Sequence, residues 1–259
     1  MIVRRWTLAR NVLLAFIAFA LIGIGVARAA ELKVVGGSAV VPIMDVLIPQ
    51  FERASGHKVV SDFDAAIGAV AKRIEMGERA DVVIVSRTQI ESLEKGGKVI
   101  KGTATNLAKL GVGVFVRQGA SKPNITNEED FKRAMRSAKS IGYNDPAAGA
   151  PVSIYLLGLF ERLGIASEMA GKAVVFKHRA ERFTPVARGE VEIGFNQISE
   201  ILAAPGVDLV GALPDGIQNY TLFALAVVEG SSQRKAANEF ISFILSPASV
   251  EVIKAKGFH

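Results

Sequence analysis

Between Leu32 and Lys95 a strand-like run is followed three times by residues at helical spacing, and after the first two runs the turn is made of small residues. Leu32–Val35 ends in Gly36-Gly37-Ser38, and Pro42–Ala54 follows with Ile43, Val46, Leu47 and Phe51 on one face before stopping at Ser55-Gly56. Lys58–Phe63 leads to a helix over Ala69–Met76, and Asp81–Val85 to one over Ile90–Lys95. Strands that alternate with helices build a largely parallel sheet covered on both faces, so the fold class is α/β. Asp81–Val85 is apolar throughout, which places it centrally in the sheet. Further along, Leu110–Arg117, Ser140–Tyr143, Lys172–Phe176, Ile193–Asn196, Leu209–Val210 and Tyr220–Val228 read as strands. Helices are expected over Glu128–Arg136, Val152–Leu163, Ala236–Ile244 and after Pro247. The glycines at 111 and 113 mark a place where the chain crosses between two lobes.

The first residues have a different character. Arg4, Arg5 and Arg10 precede an apolar run from Val12 to Val26, and Ala27-Arg28-Ala29 offers small residues at the cleavage positions. Residues 1–29 therefore read as a secretory signal peptide, with the periplasm as destination. The run is shorter than the roughly 20 residues a spanning helix needs. Four of the six excess positive charges are leader arginines, which leaves two on the mature chain and removes the basic face a nucleic-acid partner requires. No cysteine is present, so neither a lipid-anchored amino terminus nor disulfides contribute, and stability rests on core burial.

Three segments have the composition of an anion site. Gly36-Gly37-Ser38-Ala39, Asp64-Ala65-Ala66-Ile67-Gly68 and Asn144 to Ser153 are each small-residue loops between a strand and a helix. Helix N-termini present unpaired amides and a partial positive charge, and glycine lets the backbone come close. Catalytic signatures are missing: there is no G-x-S-x-G elbow, no H-E-x-x-H, no phosphate-binding loop and no cysteine nucleophile. The three histidines show no metal-ligand spacing. Neither an enzyme, nor a metal site, nor a cofactor is expected.

Read together, the segments resemble the periplasmic molybdate-binding proteins. The resemblance is carried by the R-I-E-x-G-x-x-A-D run from Arg73 to Asp81, the D-P-x-x-x-x-P-x-x-I-Y turn from Asp145 to Tyr155, and the A-V-V-E-G to K-x-x-G-F block at the carboxyl end. It implies a type II periplasmic-binding-protein fold: two α/β lobes, two crossing strands and a ligand cleft between them. It also implies an inner-membrane ABC permease as partner and a small oxyanion, molybdate- or tungstate-like, as ligand. The pocket departs from the family pattern. The first-loop serine position falls on Ala39, with Ser38 one residue earlier; the second loop, Ala65-Ala66-Ile67, has no hydroxyl; and the pocket tyrosine falls near Gln197. A backbone-amide position falls around His178-Arg179. Losing a hydrogen bond to a desolvated anion costs about 1.5–3 kcal/mol, so a small organic carboxylate or phosphonate, or phosphate or sulfate, is the alternative ligand, for uptake or for sensing by a membrane receptor.

The expected arrangement is lobe 1 over residues 31–112 plus 217–259 and lobe 2 over 113–216, in a monomer. The expected ligand contacts are Gly37, Ser38, Ala39, Ala66, Ile67, Gly68, Pro151, Val152, Arg179, Arg182, Asn196 and Gln197. Ser38 is read either as a ligand hydroxyl or as a helix cap. Asp64 has three readings: facing away, pairing with Arg179 or Arg182, or selecting a ligand that carries a donor. Tyr155 is read as core, and His57 and His259 as surface residues.

Overall fold

The computed structural model describes residues 29–178 and 181–259. The leader expected over 1–29 thus lies outside them except for Ala29. Strands β1 (Glu31–Gly37), β2 (Lys58–Ala65) and β3 (Val82–Ser86) alternate with helices α1 (Val41–Ser55), α2 (Ile67–Glu75) and α3 (Arg87–Lys95). A long strand β4 (Thr105–Arg117) follows, then α4 (Glu128–Ser137), β5 (Ile141–Asn144), α5 (Pro151–Arg162), α6 (Ala166–Ala170) and β6 (Ala173–Phe176). Next come α7 (Thr184–Ala187), β7 (Ile193–Gln197), α8 (Ile198–Ala203), β8 (Val207–Ala212), β9 (Tyr220–Val227), α9 (Arg234–Ile244) and α10 (Pro247–Ala255).

The strands form one continuous sheet in the order β2-β1-β3-β9-β4-β7-β5-β6, with β8 also paired to β4. β1 runs parallel to β2 and β3, and β5 runs parallel to β6 and β7. β4 joins the two parallel groups. Its first part, Thr105–Gly111, pairs antiparallel with β9, and its second part, from Val112 on, pairs antiparallel with β7 and β8. The chain returns through a short 3-10 turn at Asp215–Ile217. There the Gln218 side chain accepts from Val112 N at 2.9 Å and donates to Val112 O at 3.0 Å, fixing the return beside the middle of β4.

Burial follows the same division. One apolar core gathers Leu32, Val34, Val82, Ile84, Leu225 and Phe240 around the first parallel group. Another gathers Val114, Phe131, Ile141, Leu156, Phe160 and Phe195 around the second. All five residues of β3 pair with β9 on one side while Val34–Gly36 of β1 flank it on the other, which explains why its run is apolar throughout.

The R-I-E-x-G-x-x-A-D run is structural. Arg73 donates to both Asp62 on β2 and Glu78, and Lys33 Nζ on β1 donates to Glu78 at 3.0 Å. Asp81 accepts from Lys33 N at 2.8 Å and from Ser231 Oγ at 2.6 Å, ahead of α9. None of these residues lines the cavity described below.

Several expectations need correction. The strand expected from Leu110 starts at Thr105, because β9 pairs with that earlier segment. Short helices at Ala166–Ala170, Thr184–Ala187 and Ile198–Ala203 escape a reading by periodicity, since each is under two turns. His57 is 6% exposed instead of superficial. Its Nδ1 accepts from Ala30 N at 3.0 Å, its Nε2 meets Glu239 Oε2 at 3.0 Å, and its ring packs on Phe51. A polar residue at a strand start looks exposed until α9 is folded over it.

Hydrogen bonds from Arg73, and then from Lys33, hold the Glu78 carboxyl below its ordinary value of 4.5 against an opposing desolvation. A carboxyl lowered on folding stabilises the fold above its unfolded value and loses that contribution as pH falls through its folded value. Glu78→Gln should therefore lower Tm by about 2–4 °C at neutral pH. The gap from the wild-type protein should close as pH drops below 4.5, as thermal melts across pH will measure.

Candidate functional site

Where the two parallel groups face each other, the ends of β1, β2, β5 and β7 surround a cavity of about 250 Å3. β1, β2 and β5 each end in a small-residue turn that starts a helix, as the sequence leads one to expect, whereas β7 runs straight from Gln197 into α8. The turn Ser38–Val40 leads into α1, Ala66 into α2 and Ala150 into α5, and none of these starts has a side-chain cap. Away from the cavity, α3, α4 and α10 are capped by Ser86, Asn127 and Ser246, although α9 is not. The first helical bonds of α2 and α5 are Val70 N to Ala66 O and Ile154 N to Ala150 O, both 3.1 Å. The amides of Ile67–Ala69 and of Val152 and Ser153 precede them and have no partner within their own helix. Two helix starts of this kind converging on one cavity favour negative charge.

Of the expected contacts, Ser38, Ala39, Ala66, Ile67, Pro151, Val152, Arg182, Asn196 and Gln197 line the cavity. Arg179 lies outside the described residues. Gly37 and Gly68 do not line it. Their lack of a side chain serves close approach between protein segments: a Cβ on Gly37 would fall 2.2 Å from Ile67 Cγ2, and one on Gly68 would fall 3.1 Å from Gly149 Cα. The first contact seats the second loop under the first. The second brings the backbone of α2 against the loop before α5, across the rim.

Arg182 is the organising cation. Its Nη1 donates to Ser38 Oγ at 2.6 Å and to Glu200 Oε1 at 2.9 Å, with only 13% of its side chain and 11% of that of Glu200 exposed. Ser38 thus points to Arg182 and caps no helix, which removes the cap reading. A second link across the cavity runs from Ser199 Oγ to Ala39 O at 2.8 Å. Asp64 lines the cavity at an exposed position, as do Lys177 and His178.

Asn196 and Gln197, at the end of β7, are 2% and 4% exposed. Asn196 Nδ2 and Gln197 Oε1 have no hydrogen-bond partner among the described residues. Apolar contacts come from Ala39, Ala66, Ile67, Val152, Phe176 and Phe223. Glu200, Asn144, Lys177 and Phe223 line the cavity beyond the expected set. Asn144 and Glu200 flank residues the sequence already marked, whereas Phe223 lies inside an apolar strand and carries no local signal. Tyr155 does not line the cavity, and its hydroxyl donates to Ile217 O at 2.7 Å. Among the described residues no cluster of three or more His, Cys, Asp or Glu side chains is arranged to hold a metal ion.

Two α/β lobes joined by two chain crossings, with a cavity between facing strand ends, define the type II periplasmic binding fold. The molybdate-binding protein of Azotobacter vinelandii superposes with a TM-score of 0.74 over 88% of this chain and 99% of that one, at 21% identity. PEB3 of Campylobacter jejuni with L-phospholactate bound reaches 0.67 over 88% and 99%, at 17% identity. The chain belongs to the bacterial extracellular solute-binding proteins, whose family profile matches residues 32–259. An aconitate isomerase from a Pseudomonas species is 31% identical over 230 residues, 87% of this chain and 86% of its own. The molybdate-binding protein ModA of Escherichia coli K12 is 25% identical over 251 residues, 94% and 95% of the two chains.

The Gly37–Ile67 contact is open to a test by stability. Gly37→Ala should destabilise the fold by about 1–3 kcal/mol through overpacking. The same change in an Ile67→Ala background should cost clearly less, and chemical denaturation of the four proteins measures that coupling.

Proposed function

We propose that this protein is a periplasmic binding component for a small organic carboxylate, delivering it to an ABC permease in the inner membrane. The lobes in this reading are residues 31–112 plus 217–259 and residues 113–216, and the ligand lies in the cavity between them. The observation that carries it is the pairing of one largely buried cation, Arg182 on Ser38 and Glu200, with a wall of alanines, Ile67, Val152, Phe176 and Phe223. A guanidinium and two uncapped helix starts suit a carboxylate. The apolar wall suits a carbon body. Room for a carbon body is available: about 250 Å3 exceeds several times the roughly 30 Å3 share of one water. The relative named an aconitate isomerase supports an organic acid as ligand, and the ModA relatives make an oxyanion the alternative.

Thermal shift and calorimetry with succinate, tricarballylate, aconitate, molybdate, tungstate, sulfate and phosphate test the proposal. The organic acids should raise Tm by mass action. Arg182→Ala should weaken their binding by about tenfold to a hundredfold, equivalent to about 1.5–3 kcal/mol for one hydrogen bond to a charged group. A large shift with molybdate or tungstate and none with any organic acid would restore the oxyanion reading.

A second reading, isomerisation of the bound acid, is favoured by one observation besides that relative. Glu200, Asp64, Asp145 and His178 all line the cavity, so groups able to move a proton between two carbons of an unsaturated acid surround the ligand position. Proton NMR of trans-aconitate with the protein in heavy water decides it. Carbon-bound deuterium or cis product means catalysis, and an unchanged spectrum with retained binding means binding without isomerisation.

A further inference from the structure

We infer that Asn196 and Gln197 form a second recognition point that takes a neutral group offering both an O–H donor and an oxygen acceptor. The ligand is then a small acid that is anionic where it meets Arg182 and carries a hydroxyl or a protonated carboxyl where it meets the end of β7. The inference rests on the carboxylate reading above and narrows it.

Each of the two carboxamides is held through one of its polar atoms. Asn196 Oδ1 accepts from the backbone N–H of Gln197 at 2.9 Å and from Asn144 Nδ2 at 3.5 Å. That fixes the orientation of the group and leaves Nδ2 as a donor. Gln197 Nε2 donates to Thr221 Oγ1 at 3.2 Å, which leaves Oε1 as an acceptor. Both remaining atoms are buried and without a partner among the described residues, on residues that line the cavity. Buried polar atoms left unpaired are costly and uncommon, so a donor and an acceptor on consecutive residues call for a matching group.

The pair discriminates by chemistry. A carboxylate satisfies Nδ2 and opposes its own oxygens to Oε1. An ammonium satisfies Oε1 and opposes its hydrogens to Nδ2. A hydroxyl or a carboxylic acid satisfies both at once. Neither side chain carries a charge, so this point adds selectivity without competing with Arg182 for the anionic end.

Isothermal titration of the purified protein with malate, succinate and tricarballylate between about pH 5 and about pH 8 tests this and separates the two sources of the neutral group. If a hydroxyl is read, malate should bind about tenfold or more tighter than succinate at every pH. If a protonated carboxyl is read, tricarballylate affinity should rise as pH falls, with one proton taken up per ligand bound. Either preference should shrink to within about twofold in Asn196→Leu and in Gln197→Met, while both variants melt cooperatively. Equal affinity for malate and succinate together with pH-independent tricarballylate binding would overturn the second recognition point and leave the carboxylate reading standing. Preferences left unchanged in both variants would overturn the assignment to these residues. Binding of none of the three acids at any pH would overturn both readings.

Discussion

The arrangement depends on β4 being shared. One strand of thirteen residues is hydrogen-bonded to β9 at its start and to β7 and β8 at its end, so a single backbone belongs to both parallel groups. Each group can then close its own apolar core, while their mutual position is set by that strand and by the return beside it. Gln218 holds the return by pairing its side-chain amide with both polar groups of Val112, as a neighbouring strand would.

Given that frame, the cavity follows from the direction of the strands. Parallel strands deliver their carboxyl ends to the same edge, and in open α/β sheets the ligand crevice lies beyond those ends. Here two such edges face each other, and close backbone approaches narrow the space between them. Ile67 occupies the place of a Gly37 side chain, and Gly68 meets Gly149. The glycines therefore bring protein segments together, and the cavity is lined by the residues beside them. The helix starts left without side-chain caps keep their first amides for the cavity.

Within the site, a guanidinium is held between a hydroxyl and a carboxylate, so its orientation is set before any ligand arrives. Preorganisation of this kind reduces the ordering cost of binding. The conspicuous charged motif from Arg73 to Asp81 has another role: it ties β1, β2 and the segment before α9 into one edge. A motif can thus identify a family through its scaffold and say little about the ligand.

The α/β class, the interior position of β3 between β1 and β9 and the three strand-to-helix loops were legible because they depend on local periodicity and on where small residues interrupt it. Ser38, Ala66, Pro151 and Gln197 could be marked in the same way, as residues at strand ends. Partnership was not legible. Nothing local shows that Arg182 reaches Ser38, 144 positions away, that Glu200 shares the same nitrogen, or that His57 is buried between Ala30 and Glu239. Phe223 on β9 gave no sign of facing a ligand cavity, and Gly37 gave no sign that its empty side is filled by Ile67. The elements and their connecting loops are readable locally, because each is settled within a few residues. Which of those loops meet and which charges pair emerges only on folding, because those contacts form between segments far apart in the chain.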